Sequence, residues 1–419
     1  MKTLPKDMRP LTLRANALWN AFGCLFYLGC QWLTTVLVVR LSTNYENSGA
    51  LAFAMANGII FASIGLYKIR TFQVSDLNDE YSPQNYIAFR FVSIGLGLLW
   101  CAVYLPLTCS SDSQLLLASI TYLLFKSDEV FSDVLYGIDQ KAYRMDYIGK
   151  SQLMRGVLSL VGFAVPLYVF DSLVVGILGM AASCIAITLF YDLPHAKLFG
   201  SIRPDFEKDK MLSLAKACFL AMIGSLCANG IVSLVRQYFG ILYGSEALGI
   251  YASVATPAVL IQVSATYLYS PMIGSLAKTL NDSGAHAFMR EFIKILVLII
   301  GVLSLFIVGL SIVGDFALQL VFGPSIAPHT YLFPYVLVAT GCVGILFYTN
   351  DVLVVLRKAK AMLVCNLIAL VTALLLALPF TQHFGMNGIN FSVIGGSLIA
   401  VICSLPLIAV NRKKTDMQS

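Results

Sequence analysis

Charged side chains are scarce in this chain of 419 residues, since Asp, Glu, Lys and Arg together make up only 12% of it. A soluble domain would carry about 25%. Long polar stretches are also missing, which excludes a sizeable water-soluble domain. Hydrophobic residues make up 58% of the chain, and the mean hydropathy is +0.81. Apolar runs long enough to cross a hydrocarbon core of ~30 Å recur from end to end. The composition therefore predicts an all-α, polytopic membrane protein.

The residue patterns of metal centres and of hydrolytic sites are absent as well. None of the ten cysteines forms a Cys-x-x-Cys pair, and the four histidines lie far apart, so no metal-ligand spacing occurs. The loops expected to face outward are short and carry single acidic residues. They contain neither paired carboxylates nor a Ser/His/Asp set. We therefore expect no metal, no cofactor and no enzymatic activity.

About twelve apolar segments are separated by polar or basic loops. The basic N-terminus is followed by a full-length span without a small-residue cleavage pattern, which argues against a signal peptide. The predicted spans lie near Leu18–Val39, Ser48–Tyr67, Tyr86–Leu107, Leu115–Leu135, Leu153–Phe170, Leu173–Tyr191, Met211–Val235, Leu248–Leu268, Phe292–Gly314, Leu332–Leu356, Met362–Phe380 and Ile389–Val410.

Lys and Arg concentrate at both termini and in every second loop. Cytoplasmic loops carry an excess of these residues, so we expect a cytoplasmic-membrane protein with both termini in the cytoplasm. The formal net charge of +6 then belongs to loops that face an anionic leaflet. Membrane lipids are therefore the expected partners, and the charge does not indicate nucleic-acid binding.

Span 4, Leu115–Leu135, leads into a charged face. Lys126, Glu129 and Asp133 recur at helical spacing with Tyr122, so they share one side of the helix. An ionisable residue at mid-membrane costs ~2.5–3.5 kcal/mol on insertion scales and usually lines a cavity. Glu129 and Asp133 repel each other one turn apart, which favours binding of a proton, so we interpret them as ion-coupling candidates. The alternative is a helix that emerges early into the cytoplasm, although Lys126 lies deep for snorkelling.

Three further polar residues stand out inside other spans. Arg90 lies a turn inside span 3, and Arg236 ends span 7 with Asn229 two turns deeper. Each has an alternative interpretation, namely snorkelling for the arginines and helix–helix hydrogen bonding for Asn229. Together these residues are more polar than a passive helix bundle needs.

A weak internal repeat suggests two halves. Glu46, Gly49 and Ala52 open the span after span 1, and the same residue types recur 200 positions later, after span 7. Parallel six-helix halves are a known transporter architecture. We therefore expect two six-helix lobes, 1–205 and 206–419.

Four sequence patterns carry a family resemblance over most of the chain. They are Lys68, Arg70, Gln73 and Asp76 followed by Tyr86 and Arg90; Gly137, Gln140, Arg144, Asp146 and Gly149 followed by Ser151, Arg155 and Gly156; Leu248–Ala252; and Leu320–Gly323. In their order and spacing the chain resembles the Wzx-type polysaccharide repeat-unit flippases. Their superfamily also holds multidrug and toxic-compound extruders and lipid II flippases.

The resemblance implies a two-lobed bundle that moves a polyprenyl-diphosphate-linked oligosaccharide to the outer leaflet by alternating access. Arg236, Arg90, Lys126 and Asn229 are then the candidate substrate-binding residues, and polymerases or glycosyltransferases are candidate partners. A drug exporter of the same superfamily remains an alternative, although span 1 lacks the acidic residue typical of that group. An outward-acting sugar polymerase or ligase is the other alternative, disfavoured by the short outward loops.

Overall fold

The computed structural model describes residues 8–42, 45–76, 80–109, 113–356 and 358–409. Both ends of the chain lie outside these ranges, and with them the terminal basic residues Lys2, Lys6, Arg412, Lys413 and Lys414. The chain divides into two compact units, Met1–Met222 and Ile223–Ser419. This boundary falls inside a helix, beyond the predicted one at residue 205, and the two-lobe transport arrangement stays a prediction.

The first unit, called unit 1 here, contains eight helices and the start of a ninth among its described residues. A π-helical turn, Thr188–Asp192, joins the seventh to the eighth. The helices are α1 (Leu13–Leu41), α2 (Glu46–Leu66), α3 (Ile69–Ser75), α4 (Pro83–Thr108), α5 (Ser113–Lys141), α6 (Met145–Phe170), α7 (Leu173–Ile187), α8 (Leu193–Ala196) and the beginning of α9 (Lys208–Ala255).

The second unit, called unit 2 here, holds the rest of α9 and four more helices. Short 3₁₀ segments follow α9 and precede α11. The helices are α10 (Val259–Phe322), α11 (Phe333–Val355), α12 (Ala359–Phe384) and α13 (Asn387–Ala409). Gly244 (φ 86°) breaks α9, and Gly284 (φ 76°) breaks α10. Glycine tolerates this left-handed backbone because it has no Cβ.

Ten helices within the described ranges are long and apolar enough to cross a bilayer. α5 is not among the ten because of its charges, but its 29 residues suffice for a span. The predicted all-α polytopic fold is confirmed, and the total of about twelve spans stays a prediction.

The family pattern that begins at Lys68 includes Asp76, whose carboxylate accepts several hydrogen bonds between α3 and α4. Asp76 accepts hydrogen bonds from the backbone N–H groups of Glu80 and Tyr81, both at 3.0 Å, and from the Tyr86 hydroxyl at 2.9 Å. Burial raises the pKa of the Asp76 carboxyl, but these hydrogen bonds outweigh it and hold the pKa below its ordinary value. These hydrogen bonds tie the end of α3 to the residues at the start of α4.

The glycines of the second pattern allow α6 to approach α1 closely. A Cβ added at Gly149 would lie 2.5 Å from the Trp19 carbonyl oxygen, and one added at Gly23 would lie 2.6 Å from the Gly149 Cα. Small residues at a membrane helix interface let backbones approach in this way. The α1–α6 contact in turn positions Tyr27 and Arg155, which the next subsection describes.

We expect Gly23→Ala to destabilise the protein by about 1–3 kcal/mol, because the atoms it meets belong to backbone that cannot move aside. Gly29→Ala on the same helix is the matched control, since its Cβ would meet no atom within 4 Å. Thermal unfolding of the purified variants in detergent measures the difference. Equal stability of the two variants would contradict the close approach of α1 and α6.

Candidate functional site: a charged cavity in unit 1

The charged face of α5 lines a cavity of ≈ 230 Å³ inside unit 1. Because Lys126, Glu129 and Asp133 all project toward this cavity, the interpretation of the face as a cavity wall fits its placement. Tyr27 of α1 and Arg70 of α3 contribute to the opposite walls. The remaining lining residues are Ala62, Leu66, Val130, Ser132, Tyr136, Gln152 and Arg155.

Glu129 has two partners among the described residues. The Lys126 ammonium donates to one carboxylate oxygen, and the Tyr27 hydroxyl donates to the other. The side chains of Lys126 and Glu129 are 21% and 20% exposed. The pair within α5 follows from the helical spacing, whereas Tyr27 joins from another helix and was not predicted.

Asp133 is held by two arginines. Arg70 Nη1 lies 3.3 Å from Asp133 Oδ1, and Arg90 Nη2 lies 2.7 Å from Oδ2. Arg90 also donates from Nη1 to the Gly65 carbonyl oxygen at 2.6 Å, and its side chain is 0% exposed. Arg70 is 25% exposed and lines the cavity.

Arg90 therefore neither snorkels nor faces the cavity. Its guanidinium is enclosed between α2, α4 and α5, where it neutralises Asp133. The expectation that Arg90 contacts an anionic head group does not fit this placement. Arg70, which the sequence pattern contained but our interpretation did not select, is the member of the pair that a ligand can reach.

A third ion-pair cluster lies beside the cavity. The buried Arg155 guanidinium contacts Asp128 Oδ2 at 2.7 Å and Asp192 Oδ2 at 2.9 Å. It also donates to Thr188, whose hydroxyl donates to Asp128 Oδ1 at 2.6 Å. The π-helical turn between α7 and α8 places Thr188 and Asp192 on the same guanidinium. Such turns are frequent at functional sites.

The sequence analysis did not assign a role to this cluster. Arg155 appeared only within a family pattern, and Asp192 was placed in a loop after span 6. The available signal was the position of Arg155 inside a predicted span, where an unpaired charge would be costly.

The three clusters balance in formal charge. They bring together four cationic and four acidic side chains from α3, α4, α5, α6 and the π-helical turn. The cations are Arg70, Arg90, Lys126 and Arg155, and the acids are Asp128, Glu129, Asp133 and Asp192. Pairing of this kind offsets the cost of removing each charge from water.

The candidate substrate-binding residue Arg236 lies in unit 2. Arg236 lies on α9 with its guanidinium carbon 5.6 Å from the ring centre of Tyr251. Its Nε is buried and has no hydrogen-bond partner among the described residues. The Tyr251 hydroxyl donates to Asn390 Oδ1 at 2.7 Å, and Asn390 donates to Asn387 Oδ1 at 3.0 Å. Asn229 is half-buried on the same helix as Arg236.

Solved structures of known proteins share this architecture. A multidrug resistance transporter of the MATE family, in an inward-facing conformation, matches with a TM-score of 0.73 at 12% identity, covering 92% of this chain and 95% of the transporter. The fold is that of the MOP-superfamily transporters. The lipid II flippase MurJ matches this MOP-type fold with a TM-score of 0.70 at 12% identity, covering 93% and 87% of the two chains. A MOP-superfamily transporter from Pyrococcus furiosus matches at 0.61 and 14% identity, covering 99% and 100%.

The chain also has a relative in sequence. The chain is 23% identical over 382 residues to the capsular polysaccharide biosynthesis protein CapF of Staphylococcus aureus, covering 89% of this chain and 93% of CapF. No family model matches the chain. The resemblance predicted from the sequence patterns is confirmed by this relative and by the shared fold.

Arg155→Ala should destabilise the protein by about 3–5 kcal/mol, because it leaves Asp128 and Asp192 buried without their cation. Lys294→Ala is the control, since the Lys294–Glu291 pair is exposed and such pairs contribute about 0–1 kcal/mol. Thermal unfolding in detergent measures both. A loss as small for Arg155→Ala as for Lys294→Ala would show that the cluster does not hold α5, α6 and α7 together.

Proposed function

We propose that the protein is a flippase that moves polyprenyl-diphosphate-linked oligosaccharides from the inner to the outer leaflet by alternating access, for the synthesis of a surface polysaccharide. The likeness to CapF supports a role in capsule synthesis. The fold shared with MurJ supports a lipid-linked substrate. We place the protein in the cytoplasmic membrane, where such substrates are made, with both termini in the cytoplasm.

The observation that carries the proposal is the buried Nε of Arg236, which lies in a helix of membrane length and has no hydrogen-bond partner in the described part of the chain. A buried donor without a partner costs free energy that a bound acceptor returns. A guanidinium binds phosphate oxygens with charge-assisted hydrogen bonds. A diphosphate therefore satisfies Arg236, and Asn229 on the same helix offers a further amide. Lys126 contributes positive charge in unit 1.

The sugar part of such a substrate explains the need for polar surroundings. A glycan loses its hydrogen bonds to water when it enters hydrocarbon, and each unreplaced bond costs several kcal/mol. Polar side chains inside the protein replace these bonds, while the polyprenyl tail remains in lipid.

Export of cationic drugs is the alternative that the MATE likeness raises. A cationic substrate needs surplus negative charge, whereas each acid of the unit 1 cavity already has a basic partner. The polarity of Arg236 also favours an anionic substrate. Since the structural relatives are transporters and flippases, a non-enzymatic function fits better than an outward-acting polymerase or ligase. Polymerases and glycosyltransferases are then proposed partners.

The test is the leaflet position of the lipid-linked oligosaccharide in cells that lack the protein. We expect completed oligosaccharides to accumulate where an outside-only, sugar-oxidising probe cannot reach them. Wild-type protein should restore labelling, Arg236→Ala should reduce it about tenfold or more through loss of a charge-assisted contact, and Arg236→Lys should restore it in part. The exposed Arg290→Ala is the matched control and should behave as wild type.

Two results would contradict the proposal. Single repeat units that reach the probe in the deleted strain, but remain unpolymerised, would indicate a polymerase instead. Full labelling with an Arg236→Ala variant present at wild-type levels would remove Arg236 from the substrate site.

A further inference from the structure

We propose that a diphosphate head group binds in the unit 1 cavity at Lys126 and Arg70, and that its binding makes Glu129 take up one proton. The inference rests on the proposed function for the choice of ligand. It adds a second anion site, a named proton acceptor and the sign of the coupling between them.

The cations in and beside the cavity differ in how accessible they are to a ligand. The side chains of Arg70 and Lys126 are 25% and 21% exposed. Those of Arg90 and Arg155 are 0% and 2% exposed. Because Arg70 and Lys126 pair with acids one helical turn apart on α5, an anion that enters the cavity meets these two cations.

The acids in and beside the cavity differ in the cationic partners that they retain when an anion binds Arg70 and Lys126. Asp133 retains Arg90, which lies 2.7 Å away and is out of reach of the ligand. Asp128 and Asp192 retain Arg155. Among the partners that the described ranges contain, Glu129 loses its one cation, Lys126, and keeps only the hydroxyl of Tyr27.

An ionised carboxylate without a cation is costly in this interior, and such a group becomes neutral by binding a proton. The charged and titratable groups facing Glu129 do not prevent this. From α5 they are Tyr122, Lys126 and Asp133; from α1, α3, α6 and α7 they are Tyr27, Arg70, Arg155 and Cys184. Once the ligand holds Lys126 and Arg70, Arg155 remains engaged with two acids and Arg90 with Asp133, so neither arginine replaces Lys126 as the partner of Glu129.

Thermodynamic linkage determines whether binding of a proton strengthens or weakens binding of the ligand. If the ligand promotes protonation of Glu129, then protonation promotes binding of the ligand by the same factor. Protonation achieves this by releasing Lys126 from its carboxylate. Proton and diphosphate therefore bind together, rather than displacing each other as they would in an exchange mechanism.

The experiment is calorimetric titration of the full-length protein in detergent with geranylgeranyl diphosphate, in pairs of buffers that differ in ionisation enthalpy. Each buffer pair gives the number of protons taken up per ligand bound. Glu129→Gln removes the acceptor. Glu291→Gln is the matched control, because Glu291 forms the same i,i+3 pair with Lys294 on an exposed surface. Protons exchanged by the ligand itself are common to all variants and cancel in the comparison.

We expect wild type and Glu291→Gln to take up as much as about one proton more per ligand than Glu129→Gln. The ratio of wild-type to Glu129→Gln affinity should fall by up to about tenfold per pH unit as the pH rises. Tyr27→Phe supplies a second readout, should Glu129→Gln fail to fold. Loss of the phenol donor destabilises the ionised carboxylate, so the proton uptake should move to higher pH.

Three results would overturn the inference. Equal proton uptake by wild type and Glu129→Gln, with binding intact, would exclude Glu129 and leave the flippase proposal standing. Proton release in wild type relative to Glu129→Gln would show exchange. Saturable binding that survives Lys126→Gln unchanged would place the ligand elsewhere, and the leaflet assay would then decide the proposed function separately.

Discussion

The fold of unit 1 depends on the cost of leaving a charge without a partner in a low-dielectric interior. α5 carries Lys126, Asp128, Glu129 and Asp133, and almost every neighbouring element supplies a compensating group. These groups come from α1, α3, α4, α6 and the π-helical turn. An apolar contact tolerates small rotations of a helix, but a guanidinium that bridges two carboxylates does not. The charges therefore set the rotation and depth of the helices around α5.

The sequence predicted the helices well because hydrophobic length and helical spacing are local properties. The twelve predicted segments and the shared face of Lys126, Glu129 and Asp133 needed no knowledge of distant contacts. The partners across helices could not be derived in this way. Asp133 lies 43 residues from Arg90 and 63 from Arg70, and nothing in either segment indicates which arginine is enclosed. Arg155 with Asp128 and Asp192 was missed for the same reason.

The two units use cations differently. In unit 1 every cation of the cavity has an acidic partner, and each acid has a basic one, so the empty cavity is close to neutral. In unit 2 Arg236 lies against Tyr251, whose hydroxyl is already engaged with Asn390. An aromatic ring stabilises a guanidinium only modestly, and the Nε of Arg236 has no hydrogen-bond partner among the described residues. The compensated site is suited to stability without a ligand, and the uncompensated one to attraction of a ligand.

In the proposed flippase cycle the protein must also return empty, so both its loaded and its unloaded states have to avoid uncompensated charge. A cavity that is neutral when empty meets the second condition but acquires excess negative charge when a diphosphate enters. A permanent surplus of arginines would create the opposite problem, because the empty cavity would then carry excess positive charge. A carboxylate that pairs with a single accessible cation avoids excess charge in both states. It is ionised while that cation has no ligand, and it becomes neutral by binding a proton when a ligand binds the cation. The Lys126–Glu129 pair has this property, whereas Asp133, held by two arginines, does not. The second, enclosed cation thus distinguishes Asp133 from Glu129, the acid that we propose responds to a substrate.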